Sequence, residues 1–286
     1  MQVIGPRSSI QAPPKAVLLR PQYPLGYPAL VLVAAYNHEL ETTKCMASMA
    51  ATVVSDPPQA DLILVDDCSP EVNYSTQWKA PVQVIRHDQN QGSYGNSLNL
   101  AWQKLKASLL PGVVNNLILI MTNSDLIAQP GWIKPLVGVF KNQEIGIAGP
   151  KLIFPDGRIQ SCGGLFDGNF GPFHRFLGWR GDYRLANRGP EQVSWITGAV
   201  FATRAKLFDQ LGGFDSGYQG GYFEDVDYCL RANALGYKTW YVPESTLIHT
   251  VGQQGGSPHF RDNSIRFHKR WDAHLWRDTK AIMVGY

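Results

Sequence analysis

The residues with the clearest chemical potential follow a short apolar run, Leu117–Met121. These five apolar residues in a row predict a strand buried on both faces of a sheet. Asn123, Ser124 and Asp125 come next. In parallel α/β sheets, ligands bind beyond the carboxyl ends of the strands, and a carboxylate there suits a hard divalent cation held together with substrate phosphates. The same residues also fit a loop whose Asn, Ser and Asp side chains cap the next helix.

A second group of acids, Glu224, Asp225 and Asp227, stands where a helix is predicted to begin. Adjacent helical residues face different directions, so only one of Glu224 and Asp225 can point at a given ligand. A helix N-terminus stabilises a charged carboxylate, which keeps such a group ready to accept a proton. The alternative is that both acids merely occupy the first turn of the helix.

Polar side chains also end the other predicted strands in the first half of the chain. Four strands alternate with helices, and we expect Asn37 to cap the first helix, which extends to about Ser55. This order predicts a single α/β domain with a doubly wound, mostly parallel sheet and helices on both faces. The strands are Ala29–Ala35, Asp61–Val65, Val82–His87 and Leu117–Met121, and the residues expected along one edge are Tyr36, Asn37, Asp67, Gly92, Asn96 and Asp125.

The second half of the chain is less regular. The segment Cys162–Gly189 is rich in glycine and aromatic residues, which fits either a long functional loop or an aromatic cluster beneath a loop. Strands are predicted at Val193–Phe201 and Lys238–Val242, and the run after Pro243 reaches His249. A tail helix over Pro258–Thr279 carries aromatic and basic residues. We favour its packing on the domain over contact with a membrane surface.

Composition excludes several classes of protein. The chain has 286 residues, of which 44% are hydrophobic and 17% charged, so a globular protein is expected. A net charge of +3 without a long basic run argues against a nucleic-acid partner. The four cysteines form no CxxC pair, which favours a reducing compartment. With no predicted membrane span or signal peptide, we expect a cytoplasmic protein, with peripheral contact at the inner face of the membrane as the tail's alternative.

Several of these segments occur in an order that resembles glycosyltransferase family 2, the inverting GT-A enzymes, and within it the rhamnosyltransferase-like branch. The resemblance covers roughly Ala29 to His249, and the most specific part is Gly-Gly-Phe-Asp followed by Glu-Asp-Val-Asp. The segments are Val33-Ala34-Ala35-Tyr36-Asn37, Val65-Asp66-Asp67-Cys68-Ser69, Asn90-Gln91-Gly92, Asn123-Ser124-Asp125, Gly212-Gly213-Phe214-Asp215, Tyr222-Phe223-Glu224-Asp225-Val226-Asp227-Tyr228-Cys229-Leu230-Arg231 and His249.

The resemblance implies a GT-A fold and a set of site residues. Asp125 and His249 would hold Mn²⁺ or Mg²⁺, although Asn123 stands where the family pattern has an acid. Asp225 would be the general base, and Glu224 would bind the acceptor or orient the loop. Residues implied for the nucleotide-sugar are Ala34, Tyr36, Asn37, Asp67, Gly92, Asn96, Asn123, Ser124 and Asp125; those implied for the acceptor and sugar pocket are Trp195 and Gly198.

The sequence predicts three parts. They are an irregular, proline-containing arm, 1–28, a glycosyltransferase domain to which the resemblance applies, 29–257, and a C-terminal helical tail, 258–286. The domain comprises a nucleotide-binding part, 29–150, and an acceptor and catalytic part, 151–257.

The function implied by the resemblance is inverting sugar transfer in polysaccharide biosynthesis. The donor would be a dTDP- or UDP-sugar, with rhamnose as the best guess, and the acceptor a glycan, a lipid-linked glycan or a protein. One alternative is a sugar nucleotidyltransferase, but the first strand ends in Ala34-Ala35-Tyr36-Asn37-His38 without the Gly-rich loop that a triphosphate needs. The other is a non-catalytic sugar-binding module, which only Asn123 favours.

Overall fold

A computed structural model describes residues 28–53, 59–78, 82–110, 112–167, 169, 171–250 and 257–282, with side chains up to Leu275 in the last helix. Most of the predicted N-terminal arm lies outside these residues. The strands are β1 (Ala29–Ala35), β2 (Asp61–Asp66), β3 (Val82–Arg86), β4 (Ile118–Asn123), β5 (Leu126–Ala128), β6 (Ile145–Ile153), β7 (Ile159–Ser161), β8 (Gly164–Phe166), β9 (Pro172–His174), β10 (Glu191–Gln192), β11 (Val200–Arg204) and β12 (Lys238–His249). The helices are α1 (Glu39–Val53), α2 (Tyr94–Lys106), α3 (Ile133–Gly138), α4 (Ala205–Gln210), α5 (Glu224–Ala234) and α6 (Phe260–Ile282).

Ten strands of the described chain form one mixed sheet, in the order β10-β12-β6-β11-β4-β1-β2-β3, with β5 beside β12 and β7 beside β6. The first four strands of the chain run parallel, as predicted. β11 lies antiparallel between β4 and β6, whereas β6 and β12 pair in parallel. The carboxyl ends of β1, β2 and β4 therefore meet at one edge of the sheet, which we call the rim.

Helices cover both faces of the sheet, which confirms the predicted α/β architecture. Leu30 and Leu32 of β1 pack into one buried cluster, and Val31 and Val33 pack into the other, because side chains alternate along a strand. Helices α2, α4, α5 and α6 contribute to the first cluster, and α1 and α3 to the second. Among the described residues, none of the helices is long and apolar enough to cross a bilayer.

Two local predictions were wrong. The strand predicted over Val193–Phe201 is irregular up to Ala199, because Trp195 pairs with Gly164 of the β8–β9 hairpin instead of with the main sheet. The Trp195 ring occupies the space that a Cβ on Gly164 would need, at 1.9 Å. The first helix begins at Glu39 and not next to Asn37, because Asn37 and His38 have φ values of 55° and 56°.

The segment Cys162–Gly189 combines the two structures that its sequence allowed. It contains the hairpin of β8 and β9. It also contains an aromatic cluster, in which the Tyr183 ring lies 5.2 Å from Phe176 and 4.4 Å from Trp179. Trp179 remains half exposed, so the cluster is a surface feature and not a second core.

Candidate active site at the rim

Strand pairing brings Asp125 and His249 together although the sequence separates them widely. β5 and β12 pair antiparallel, with Leu126 opposite His249, so Asp125 lies beside the end of β12. Thr250 secures this corner, because its backbone N–H donates to the Asp125 carbonyl at 2.9 Å. As a result His249 Nε2 lies 3.0 Å from Asp125 Oδ1.

The His249 ring is oriented by Gln160 of β7. His249 Nδ1 lies 2.7 Å from Gln160 Oε1, which can only accept, so Nδ1 carries the ring proton. In the neutral ring, Nε2 then presents its lone pair to the Asp125 carboxylate and lies 3.5 Å from Asn123 Nδ2. At this distance the lone pair of His249 Nε2 and the Asp125 carboxylate repel each other, unless a cation lies between or beside them or the ring carries a second proton.

Asp125 and His249, which together we call the cation corner, fit a divalent cation. A carboxylate oxygen and an imidazole nitrogen both suit Mn²⁺, and the half-buried Gln160 oxygen behind the imidazole fixes which ring nitrogen is free to bind an ion. The described residues contain no cluster of three or more His, Cys, Asp or Glu side chains that could hold a metal ion. A cation held by Asp125 and His249 would therefore need its other ligands from substrate oxygens or water.

Asp67, at the end of β2, organises the next loop of the rim. It is 6% exposed, and its carboxylate accepts from the backbone N–H of Gln91 at 3.1 Å and from Asn90 Nδ2 at 3.1 Å. Burial raises its pKa, an effect that the Gln91 hydrogen bond opposes. Asn96 supports the same loop by donating to the Gln91 carbonyl. The predicted contacts of Asp67 and Asn96 with a nucleotide remain predictions, but both side chains shape the loop that carries Gly92.

The end of β1 also has an unusual backbone. Asn37 and Cys68 have φ values of 55° and 62°, in the left-handed region that residues other than glycine rarely adopt. The Asn37 N–H donates to Ser69 Oγ at 2.8 Å, and Tyr74 donates its hydroxyl proton to the Asn37 carbonyl. Tyr36 is left 44% exposed beside this turn. Backbone strain of this kind concentrates at functional sites, and it leaves an aromatic side chain available on the rim.

The carboxylates Glu224 and Asp225 open α5 but have different surroundings. Asp225 Oδ2 accepts from the Gly198 N–H at 2.7 Å and Oδ1 from the Val226 N–H at 2.8 Å. Glu224 is 7% exposed, and its Oε2 has no hydrogen-bond partner. Burial, and then the charge of Asp225, raise the pKa of Glu224 to about 8. Burial also raises the pKa of Asp225, but two N–H donors stabilise its charged form, so Glu224 is the member of the pair that keeps a proton more readily.

Backbone contacts connect this pair to the cation corner. β11 pairs with β4, so the Asn123 N–H donates to the Ala199 carbonyl at 3.0 Å. The neighbouring residue, Gly198, binds Asp225 through its N–H, and its carbonyl accepts from the Tyr94 hydroxyl at 2.7 Å. The segment Gly198–Ala199 therefore joins the strand end that precedes Asp125 to the carboxylate of Asp225.

Trp195 and Gly198 support this arrangement in different ways. Trp195 is 4% exposed, donates from Nε1 to the Leu165 carbonyl, and packs its ring 4.8 Å from that of His174. It therefore holds the β8–β9 hairpin against the body behind the rim. Gly198 contacts Asp225 directly. Contact of either residue with a sugar remains a prediction.

The remaining acids of the two most specific sequence motifs bind helix α6. Asp227 is fully buried and accepts from Trp271 Nε1 at 2.9 Å and from Arg231 Nε at 2.7 Å. Asp215 accepts from Arg266 and Arg270 at 2.9 Å each. These two acids therefore attach the C-terminal helix to the domain, and the packed-helix interpretation of the tail agrees with their contacts.

Comparison with protein families shows the family to which the chain belongs. The profile described as "Glycosyl transferase family 2" matches residues 30–212, more than half of the chain. The chain belongs to glycosyl transferase family 2. The resemblance inferred from the ordered motifs is confirmed, and so is the class of enzyme at the level of the family.

This family 2 chain covers only part of its curated relatives. It is 26% identical over 248 residues to the O-antigen biosynthesis protein RfbC of Myxococcus xanthus, a match covering 82% of this chain and 18% of that protein. It is 31% identical over 148 residues to the N-acetylglucosaminyl-diphospho-decaprenol L-rhamnosyltransferase of Mycobacterium tuberculosis, covering 48% of each. The chain thus spans between about a fifth and about half of these relatives.

A solved structure confirms the fold. GalNAc-T7, crystallised with UDP, GalNAc and Mn²⁺, superposes with a TM-score of 0.64 at 19% identity, covering 86% of this chain and 48% of that one. Identity this low shows the fold alone, and that fold is the predicted GT-A arrangement.

Three residues that support the candidate site at the rim were absent from the predicted site. Gln160 orients His249, Tyr94 fixes Gly198, and Asn263 of α6 binds the loop that leads to Glu224. Tyr94 stands directly after the glycine-containing loop and before a helix, which was a usable signal. Gln160 and Asn263 carry no such signal, because an isolated amide side chain is ordinary in a short strand or on a helix.

Proposed function

We propose that this chain transfers a sugar, with inversion, from a nucleotide diphosphate-sugar to a hydroxyl group of an acceptor. One observation carries the proposal. The Asn123–Ala199 hydrogen bond and the Gly198–Asp225 hydrogen bond join the cation corner to the buried carboxylate pair. Inverting transfer needs a charged group at the leaving diphosphate and a base on the opposite side of the sugar, so one rim must hold both.

Asp125 and His249 are the proposed ligands of Mn²⁺ or Mg²⁺. A divalent cation at this corner supplies the positive charge that stabilises the leaving diphosphate. Because the chain supplies only these two proposed ligands, the other coordination positions of the ion are available to phosphate oxygens. Asn123, unlike an acid at that position, adds no charge. The Mn²⁺ and UDP present with GalNAc-T7 support this choice of ion and of donor class.

Asp225 is the proposed general base. Its carboxylate is held by two backbone N–H groups, which fix its position and favour the ionised form. Burial raises its pKa above that of a free aspartate, which strengthens it as a base near neutral pH. Protonated Glu224 next to it reduces the repulsion that a second charge would cause, and its unpartnered oxygen can bind an acceptor hydroxyl.

The proposed donor and acceptor are supported by the names of relatives and by the resemblance. We propose a dTDP- or UDP-sugar, with rhamnose as the first sugar to test, because a relative is named as an L-rhamnosyltransferase acting on a lipid-linked N-acetylglucosamine. The proposed acceptor is a glycan, a lipid-linked glycan or a protein. A lipid-linked acceptor would place a cytoplasmic enzyme at the inner face of the membrane, with α6 as the element that makes peripheral contact.

A thermal-shift screen tests this function. We expect UDP or dTDP to raise the unfolding temperature with Mn²⁺ and much less with EDTA, because a ligand that binds only the folded state at about 100 times its dissociation constant adds about 2.7 kcal/mol. The matching dTDP- or UDP-sugar should then transfer its sugar to water or to an acceptor hydroxyl and release UDP or dTDP in a Mn²⁺-dependent reaction. Full activity in EDTA contradicts the cation corner. Pyrophosphate release from a nucleoside triphosphate and a sugar phosphate would instead support a nucleotidyltransferase.

A further inference from the structure

The proposed base follows a segment of unusual backbone conformation. Gly220, Gly221, Tyr222 and Phe223 have consecutive φ values of 62°, 87°, 74° and 74°, and Glu224 comes next. Tyrosine and phenylalanine rarely adopt positive φ, and each such residue costs about 1–3 kcal/mol unless the surroundings impose the conformation. The conformation of this segment must therefore be held by residues outside it. We call residues 219–223 the acid-bearing loop, because they lead directly into the acids Glu224 and Asp225.

The residue that holds this loop lies on the C-terminal helix. Asn263 is 2% exposed, and its Nδ2 donates to the carbonyls of Gln219 at 2.9 Å and Gly221 at 2.8 Å, with Tyr222 at 3.3 Å. Its Oδ1 accepts from the Gln219 N–H at 3.2 Å. One amide side chain thus takes the backbone groups that a left-handed segment cannot pair with itself.

Aromatic packing and a second loop complete the support. Phe223 is 7% exposed, with its ring 5.2 Å from Phe267 of α6 and 5.4 Å from Phe260. On the other side, the Gly220 N–H donates to the carbonyl of Gly92 in the predicted nucleotide loop at 3.1 Å. The acid-bearing loop therefore lies between α6 and the nucleotide loop, and its conformation sets where α5 and its two carboxylates begin.

We propose that Asn263 is a positioning residue for sugar transfer: it fixes the acid-bearing loop in the left-handed conformation that aims Glu224 and Asp225 at the reaction centre. The proposal rests on the proposed function and assigns part of that function to the C-terminal helix. Asn263 itself touches only backbone atoms of the loop and takes no part in the chemistry.

The test compares truncations of two buried side chains on one helix. Asn263→Ala removes the amide, whereas Leu275→Ala removes a buried side chain three turns further along α6, about 18 Å away, without touching the loop. Asn263→Asp adds a third comparison, because it keeps the size of the side chain and loses the N–H donors. The assay is release of UDP or dTDP from the nucleotide-sugar that the wild type hydrolyses, at saturating donor and Mn²⁺.

We expect kcat to fall about 100-fold in both Asn263 variants, because a misplacement of about 1 Å at the reacting groups has that effect. The donor KM should stay unchanged, and Leu275→Ala should keep its kcat while lowering the unfolding temperature. Hydrogen–deuterium exchange should become faster over residues 219–225 in the Asn263 variants only.

A normal kcat in folded Asn263 variants overturns the proposal. So does an equal loss of kcat in Leu275→Ala, because that would mean that α6 acts through general stability. A wild-type protein that releases nucleotide from no donor contradicts the proposed function itself, which separates the two failures.

Discussion

The two sides of the rim are built by different means. On the cation side, the β5–β12 ladder places Asp125 beside His249, and both belong to strand ends. On the base side, Asp225 follows a left-handed loop that Asn263 and Phe267 hold from another helix. Backbone pairing of the three residues of β5 with β12 fixes the first arrangement, whereas the second depends on a few side chains of helix α6.

This difference suggests how the two sides respond to substitution. A ladder tolerates loss of a single side chain without moving the backbone, so changes on the cation side should affect ion binding and little else. The acid-bearing loop lacks such a ladder, so changes around it should affect geometry, turnover and stability together.

The largest effect is expected at the base. Asp225→Asn keeps one acceptor oxygen for the two backbone N–H groups but removes the group that takes the proton, so turnover should fall about 100- to 10,000-fold. Binding of UDP or dTDP with Mn²⁺ should persist, since the cation side is untouched. Initial rates at saturating donor and the thermal shift with nucleotide measure the two. Near-normal turnover contradicts the assignment of the base.

Asp227→Asn is the matched control within the same motif. Asp227 is fully buried against Trp271 and Arg231, so removing its charge should lower the free energy of unfolding by about 3 kcal/mol. The folded fraction should keep most of its turnover. Denaturant unfolding measures the first quantity and initial rates the second. Loss of turnover as great as that of Asp225→Asn, with normal stability, would show that the chemistry uses Asp227.

A smaller effect is expected behind the cation corner. Gln160→Leu leaves His249 without its orienting partner, so Mn²⁺ affinity should fall about 10- to 100-fold while saturating Mn²⁺ restores turnover. Gln192→Leu, on the exposed edge strand β10, is the control and should leave Mn²⁺ affinity unchanged. Titration of activity with Mn²⁺ measures both. Equal affinity in the two variants means that Gln160 does not orient a metal ligand.

The last prediction concerns how stability depends on pH. The pKa of Glu224 is about 8 in the folded protein and near 4.5 without its surroundings, so between these values the folded protein keeps a proton that the unfolded chain releases. The free energy of unfolding should therefore decrease as pH rises through this window. Glu224→Gln cannot ionise, so its unfolding temperature should fall less than that of the wild type between about pH 5 and about pH 8. Parallel curves for the two proteins would refute the raised pKa.

The strand end that carries Asp125 could be predicted from sequence, because the change from apolar to polar residues marks where a buried strand ends. A buried run such as Leu117–Met121 followed by polar residues identifies both a strand and the edge at which it ends. The strand register that brings His249 to Asp125 could not be predicted, because β12 continues past Pro243 through an irregularity in its pairing. Only the order of the motifs suggested that His249 belongs there.

On the base side, the acids and the start of their helix were predicted, but the conformation of the loop before them was not. Glu224 and Asp225 indicate a helix start, whereas nothing in Tyr222 and Phe223 indicates positive φ, since neither residue favours it. The helix in the tail was predicted, yet its contact with the acid-bearing loop depends on Asn263, an ordinary residue on a helix. The strand wrongly predicted at Val193–Phe201 fails for a similar reason, because a distant hairpin takes its hydrogen bonds.

Crystals grown with Mn²⁺ and UDP or dTDP would show whether Asp125 and His249 hold the ion, because the anomalous signal of manganese locates it independently of any assumed site. We expect a peak in contact with Asp125 and His249, with the diphosphate on the side of the ion that faces Asp225. A peak or a nucleotide bound elsewhere on the protein would contradict this expectation.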